Sequence, residues 1–362
     1  MPSDDFWMSQ ALQEALKGRH RTYPNPWVGA LLVKAGRLVG RGHHQRAGEP
    51  HAEALALRRA GARAKGATLY ATLEPCNHSG KTPPCTLAIL RAGVARVVAA
   101  CPDPGSREGG GLAFLASQGV KTGPWALRAE AEQLLAPFLF SVRQGRPWVL
   151  LKAGMTLDGK LATASGESKW VTGPEAREDA RRLRGECDGL LVGAGTVAAD
   201  DPGLKPAPGS PFFPQRFILD PKAALGMGPK VFSQRAKPWW LVGPGATASQ
   251  LRAAERKGVK VQRFSERGLD GMMLQVMGFL GSLKLRRLMV EGGSQVLGAC
   301  LRLGLAEELA LYIAPKLLGG QDSLAAFGGP GPESLAQARK VELSPAEPMG
   351  GGFKVSGRFI KG

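Results

Sequence analysis

His51-Ala52-Glu53, followed by Pro75-Cys76 and then by Cys85, is the stretch from which the first half of this chain can be read. One imidazole and two thiolates form a zinc donor set. A structural zinc takes four protein ligands, whereas three leave a position for water, whose pKa the metal lowers toward about 7. In the His-x-Glu pattern of zinc-dependent base deaminases the glutamate is not a ligand. It carries a proton from water to the leaving amino group, and Glu53 has the spacing for that work. A lone His or Cys is usually structural, but His51, Cys76 and Cys85 together with Glu53 point to hydrolytic chemistry. Eight residues, 77–84, separate the two cysteines, where the generic Pro-Cys-x-x-Cys pattern has two. His78 inside that segment is a competing ligand.

Working outward, residues 8–17 have helical spacing, 28–33 read as a buried strand, and 51–60 are rich in Ala, Leu and Arg with Gly61 where a C-cap belongs. His51 then opens one helix and Pro75-Cys76 another, so that macrodipoles favour thiolate. Strands at 68–73 and 95–100 flank a helix at 86–92 that ends at Gly93, a βαβ unit. Residues 129–142 form one amphipathic helix. Arg143-Gln144-Gly145-Arg146-Pro147 is the linker, dividing the chain into domains 1–145 and 146–362.

Beyond it, strand-like runs at 148–152, 189–192, 216–220, 239–242, 259–264, 287–290 and 309–313 alternate with helical segments at 174–184, 248–256, 271–280 and 294–303. That alternation predicts a mainly parallel α/β sheet, to which 352–359 adds an edge strand. Val192-Gly193-Ala194-Gly195-Thr196-Val197-Ala198 fits Gly-x-Gly-x-x-Ala, a weak dinucleotide fingerprint in a chain with 50 glycines. Glu291-Gly292-Gly293-Ser294, between a strand and a helix, offers free amides to a phosphate. No acidic ribose-binding residue stands out, which favours NADPH over NADH.

The 362 residues carry 48 Lys plus Arg against 30 Asp plus Glu, a net charge of +18. That excess suits an anionic partner, yet basic surfaces are common enough that motifs must decide. With 43% hydrophobic residues the chain is not globally disordered. No apolar run reaches the roughly 18 residues of a membrane span, and the acidic N-terminus lacks a signal segment, so no membrane partner and a cytoplasmic location are expected. Five cysteines at irregular spacing argue against a disulfide framework; Cys101, Cys187 and Cys300 read as structural.

Pro24-Asn25-Pro26-Trp27-Val28-Gly29, Gly48-Glu49-Pro50-His51-Ala52-Glu53, Thr72-Leu73-Glu74-Pro75-Cys76-Asn77-His78 and Gly80-Lys81-Thr82-Pro83-Pro84-Cys85 closely resemble the deaminase domain of the bifunctional riboflavin-biosynthesis deaminase/reductases, whose cysteines are separated by a long insertion. Lys152-Ala153-Gly154-Met155-Thr156-Leu157-Asp158-Gly159-Lys160, Ser165-Gly166-Glu167-Ser168-Lys169-Trp170-Val171-Thr172, Gly195-Thr196-Val197 with Asp200-Asp201-Pro202, and Val290-Glu291-Gly292-Gly293 resemble their reductase domain. The resemblance implies an N-terminal cytidine-deaminase-like α/β/α domain followed by a dihydrofolate-reductase-like α/β domain. It implies Zn2+ on His51, Cys76 and Cys85, Glu53 as general acid/base, and Asn25 against the pyrimidine ring. It also implies NADPH contacts at Gly154, Trp170, Thr196, Asp200, Gly293 and Ser294, which overrides the Rossmann reading of 193–198, and substrate contacts at Ser168, Arg184, Leu204 and Glu291.

Departures are visible. The family's Asp-Pro-Asn-Pro segment is here Asp103-Pro104-Gly105-Ser106, and the Arg usual after Asp-Asp-Pro-x-Leu is Ala207, leaving Lys205 as the nearby cation. Lys152 and Asp158 also suit a strand-end charge and a turn former. The implied reactions are hydrolytic deamination of a phosphorylated diaminopyrimidine and reduction of its ribosyl group by NADPH, in a homo-oligomer with no nucleic-acid partner. A nucleic-acid deaminase would leave the second half unexplained. A zinc-stabilised RNA-binding protein would need a fourth ligand and a stacking surface, and aromatics are 6%.

Overall fold

The computed structural model describes residues 2–19, 21–79, 83–105, 110–210 and 212–360. The chain divides into two compact units, Met1–Gly145 and Arg146–Gly362.

The first unit runs α1 (Asp4–Leu16), β1 (Gly29–Lys34), β2 (Arg37–His43), α2 (Ala52–Ala60), β3 (Thr68–Ala71), α3 (Cys85–Arg91), β4 (Arg96–Ala99), α4 (Gly110–Ser117), β5 (Lys121–Thr122), α5 (Arg128–Leu134) and α6 (Ala136–Gln144). Its sheet has the order β2-β1-β3-β4-β5, antiparallel across β2, β1 and β3 and parallel from β3 to β5. The β3-α3-β4 crossover is the expected βαβ unit. Because side chains alternate along a strand, neighbouring residues of β2 serve opposite faces. His43 meets Glu14 of α1 at 2.9 Å, while a Cβ on Gly42 would lie 2.5 Å from the Ala52 carbonyl of α2. Thus α1 and α2 cover opposite faces. Gly40 and Gly42 have no side chain for a reason: only bare backbone lets α2 settle this closely, and that depth fixes where His51 and Glu53 sit. Both ends of α2 are as read, with His51 at the N-cap and Gly61 at φ +56°.

Three expectations change here. Cys85, not Pro75-Cys76, opens a helix: Pro84 has the fixed φ suited to a helix start, and the insertion delays α3 until then. Residues 129–142 are two helices, because Pro137 in the first turn of α6 cannot donate to the preceding turn. The linker is shorter than 143–147, since α6 holds Arg143 and Gln144 and ends on Gly145 at φ +67°. Gly80, Lys81, Thr82 and Ser106 lie outside the described residues.

The second unit runs β6 (Trp148–Thr156), β7 (Lys160–Ala162), α7 (Pro174–Arg184), β8 (Gly189–Gly193), α8 (Ala194–Asp200), β9 (Gln215–Asp220), α9 (Lys230–Ser233), β10 (Trp239–Val242), α10 (Ala248–Arg256), β11 (Lys260–Arg263), α11 (Leu269–Ser282), β12 (Arg287–Glu291), α12 (Ser294–Arg302), β13 (Glu308–Ala314), β14 (Leu324–Ala325), β15 (Val341–Leu343), β16 (Glu347–Met349) and β17 (Gly352–Phe359). Strand order is β11-β10-β9-β8-β12-β6-β13-β17-β15, parallel from β11 to β13, with β16 also on β17. β17 is an interior strand rather than an edge, paired with β13, β15 and β16. Beyond β13 no crossover helix follows among the described residues, and the sheet closes with antiparallel pairings. Near β6 the order reverses: the chain steps outward from β8 to β11, then returns to insert β12 beside β6. Ligands of open α/β sheets gather at the carboxyl ends of strands around such a reversal. Among the described residues no helix is long and apolar enough to cross a membrane.

Candidate active sites

In the first unit the N-cap of α2, the first residue of α3 and the segment after β3 converge. His51 Nδ1 lies 3.5 Å from Cys76 Sγ and 3.3 Å from Cys85 Sγ. The three donor atoms lie within 4.8 Å of one another and form, among the described residues, the one His/Cys/Asp/Glu group close enough to hold a metal. Soft sulfur with one imidazole nitrogen is a donor set that fits zinc. Exposed His78 lies outside the cluster. Cys76 is the thiolate of the pair, held low by hydrogen bonds from the Cys85 thiol and main-chain N–H and by His51, while ionised Cys76 and burial keep Cys85 a thiol. Glu53, one helix position beyond Ala52, is 4% exposed, and burial, with the Cys76 charge adding to it, pushes its carboxyl up to about 7. No Lys or Arg pairs with it among the described residues.

Asn25 reaches this cluster through a residue the sequence reading passed over. His44, 2% exposed, accepts from Asn25 Nδ2 at 2.9 Å, donates to the Pro50 carbonyl at 3.2 Å, and meets the His51 ring edge-on at 5.5 Å. Burial lowers its pKa, so a neutral ring with Nδ1 protonated satisfies both bonds. Glu74 was also missed: it is buried and accepts from Leu112 N at 2.9 Å and Asp103 N at 3.3 Å. A buried glutamate just before Pro75-Cys76 was the available signal. Cys101, Cys187 and Cys300 are buried and free, burial pushing each thiol up to about 12.

In the second unit the implied residues fall into linked groups at the strand ends. Arg184, the last residue of α7, donates from Nε to Glu291 Oε1 at 2.6 Å and from Nη2 to Glu291 Oε2 at 2.8 Å. Lys152 Nζ lies 3.9 Å from the same carboxylate and 5.6 Å from the centre of the Tyr312 ring. Lys152 sits inside β6, in register with Glu291, and is no strand-end charge. Although Glu291 is buried, the two cations hold it below the ordinary carboxylate range, and burial lowers the Lys152 ammonium. Ser168 donates to Asp200 at 2.7 Å. Gly292 and Gly293 turn at φ +55° and +77°, and a Cβ on Gly293 would lie 3.0 Å from Thr196 Oγ1, so the loop before Ser294 is a bare-backbone cradle suited to a phosphate-bearing cofactor. Gly154 faces Thr172, whose methyl would sit 3.1 Å from a Cβ there.

Trp170 is 65% exposed, with the Arg177 guanidinium 4.3 Å from its ring centre, at a cavity of about 350 Å³ that Thr172, Tyr312, Lys316 and Phe353 also line. Leu204 is buried at φ +49°, and the next carbonyl, of Lys205, accepts from Arg184 Nη1 at 3.0 Å. The Lys205 side chain is exposed, and Ala207 contributes its N–H to Arg181 O at 3.0 Å. Asp158 lies in the turn between β6 and β7 and accepts from Leu318 N and Gly319 N, tying that turn to a distant segment of the chain.

A His/Cys/Cys donor group that fits zinc beside a buried glutamate, followed by an α/β unit with a cofactor cradle, points to a two-unit deaminase and reductase. Family models agree: residues 1–101 match the cytidine and deoxycytidylate deaminase zinc-binding region, and residues 147–355 match the RibD C-terminal domain. The riboflavin biosynthesis protein RibD of Escherichia coli is 40% identical over 367 residues, covering 96% of this chain and 97% of the relative; that of Aquifex aeolicus is 38% identical over 358 residues, covering 96% of each. Acinetobacter baumannii RibD matches in structure with TM-score 0.89 and 34% identity over 99% of each chain. A Thermotoga maritima diaminohydroxyphosphoribosylaminopyrimidine deaminase/5-amino-6-(5-phosphoribosylamino)uracil reductase matches with TM-score 0.87 and 32% identity over 99% of each. This chain belongs to the RibD family, the bifunctional deaminase/reductases of riboflavin biosynthesis that use zinc and NADPH.

Proposed function

We propose that residues 1–145 deaminate 2,5-diamino-6-ribosylamino-4(3H)-pyrimidinone 5′-phosphate and residues 146–362 reduce the ribosyl group of the resulting aminouracil phosphate to ribityl. The observation that carries the first half is Glu53, buried beside His51, Cys76 and Cys85 with no Lys or Arg paired to it among the described residues. In this reading those three side chains would hold zinc, which would supply the acidification of a water. Glu53 is the residue placed to take a proton from the attacking water and pass it to the amino group, so that a C2–O bond would form as the C2–N bond breaks and ammonia leaves. Its pKa near 7 suits a group that must both accept and donate. Asn25 spends its amide N–H on His44 and keeps its carbonyl for the pyrimidine edge.

In the second half NADPH supplies hydride to the ribosyl C1′, and the protein's work is orientation and electrostatics. Gly154, Trp170, Thr196, Asp200, Gly293 and Ser294 hold the cofactor; Ser168, Arg184, Leu204 and Glu291 hold the substrate. With Ala207 unable to reach a phosphate, the exposed Lys205 ammonium is the loop's available cation. Small phosphorylated pyrimidines, and no nucleic acid, are the substrates, since phosphate on both substrates and on the cofactor accounts for local cations without one. Five free cysteines are consistent with a reducing cytoplasm, and we read the working form as a homo-oligomer, which light scattering tests.

Purified protein given the diaminopyrimidine phosphate, with ammonia and NADPH followed separately, tests both halves. Ammonia release that survives Glu53→Gln would overturn the first. No NADPH consumption with the aminouracil phosphate would overturn the second.

A further inference from the structure

We infer that Gln234 is a positioning residue of the reductase, a strut that sets the loop carrying Leu204. The inference rests on the assignment of Leu204 and Arg184 to the substrate. Residues 201–205 follow α8 and place two non-glycine residues, Asp201 at φ +42° and Leu204 at φ +49°, in the left-handed region. Such conformations persist only where surrounding bonds over-determine them. Four side chains do so here. Ser168 holds Asp200; the Asp201 carboxylate accepts from Lys230 N at 2.7 Å; Arg184 holds the Lys205 carbonyl; and Gln234 Nε2 donates to the Gly203 carbonyl at 2.8 Å. Of these, the Gln234 bond is on the carbonyl immediately before Leu204.

What makes the strut rigid lies behind it. Arg216 of β9 is 2% exposed, and among the described residues no carboxylate pairs with it. Its guanidinium donates to Gln234 Oε1 and to the Ala236 carbonyl. A guanidinium only donates, so the Gln234 amide has one permitted orientation, oxygen toward Arg216 and nitrogen toward Gly203. Glutamine is the side chain that accepts at one end and donates at the other across this gap. The substrate loop is thereby tied to a central strand rather than left to its own preferences.

Gln234→Glu separates positioning from stability. A carboxylate gives Arg216 the counter-charge it lacks, so the full-length variant should melt at or above the wild-type temperature, yet it has no hydrogen to offer Gly203 and sets oxygen against oxygen. The expected result is a KM for the aminouracil phosphate raised about tenfold, with the KM for NADPH and ammonia release from the diaminopyrimidine phosphate unchanged. A folded Gln234→Glu protein with a wild-type substrate KM overturns the role, as does a loss shared equally by both substrates. Should Gln234→Glu fail to fold, Gln234→Ala must show the same KM split, and absence of the split overturns the role. Wild-type protein assayed alongside carries the reductase assignment separately: if it oxidises no NADPH with the aminouracil phosphate, that assignment fails and the strut's role with it.

Discussion

Glu53 and Glu291 are both buried glutamates at the centre of a site, and their surroundings push them in opposite directions. Glu53 is beside a thiolate and, among the described residues, pairs with no Lys or Arg, so burial dominates and the proton is held up to about 7. Glu291 is gripped by a two-pronged Arg184 with Lys152 nearby, and it stays ionised below the ordinary range. The same side chain thus holds its proton up to about 7 in one unit and is a fixed anion in the other. Burial alone does not tell which; the presence or absence of a partner cation does.

Breaking the first environment should cost most. Stripping the metal with a chelator should reduce ammonia release to background while NADPH oxidation with the aminouracil phosphate continues, and equal loss of both activities would contradict two independent sites. Glu53→Gln should lower ammonia release by about 10³-fold with bound zinc, measured by elemental analysis, at the wild-type level. Glu291→Gln should act differently, because it leaves the half-buried Arg184 and Lys152 without their anion. A loss of about 3 kcal/mol is expected, read as faster hydrogen exchange of β6 and β12 amides in the full chain. The pH dependence follows from the depressed pKa. The carboxylate's contribution is complete above the ordinary value of 4.5 and disappears as pH falls through the lower folded value, so variant and wild type should converge in acid. A gap that stays constant into acid would mean that Glu291 is not the anion described.

The contrast was only half legible in the sequence. The deaminase centre depends on residues close in the chain: His51 and Glu53 share one helix start, and the Pro-rich insertion before Cys85 sets the next. Local signals of that kind survive in a string of letters. The reductase centre depends on pairings between residues 107 apart, Arg184 with Glu291, and on β6 lying in register with β12. Resemblance supplied the names of those residues, but nothing local said that Lys152 would lie inside a strand beside Glu291. Neither was there a local sign that β17 would be an interior strand. His44 was invisible for the opposite reason, since its importance comes from the side-chain and backbone groups it orients rather than from any pattern it forms.

The smallest effect sharpens what burial adds to a charge pair. Asp4 and Arg96 form a second two-pronged pair, end-on through Nη1 and Nη2 at 2.8 and 2.6 Å, with the Tyr70 hydroxyl donating to the same carboxylate at 2.8 Å. The difference is water: the Arg96 and Asp4 side chains are 32% and 27% exposed, against 17% and 7% for Arg184 and Glu291. Solvent weakens the attraction but also consoles whichever partner is left alone, so Asp4→Asn should cost only about 1 kcal/mol, measured by hydrogen exchange of β3 and β4 in the full chain. The Arg96 hydrogen bond lowers the Asp4 pKa, so this contribution too is present above the ordinary value of 3.8 and lost below the folded one. Added salt should shrink the Asp4→Asn gap and leave the Glu291→Gln gap nearly unchanged, because screening acts on charges that water reaches. Equal salt sensitivity of the two would mean that burial is not what separates them.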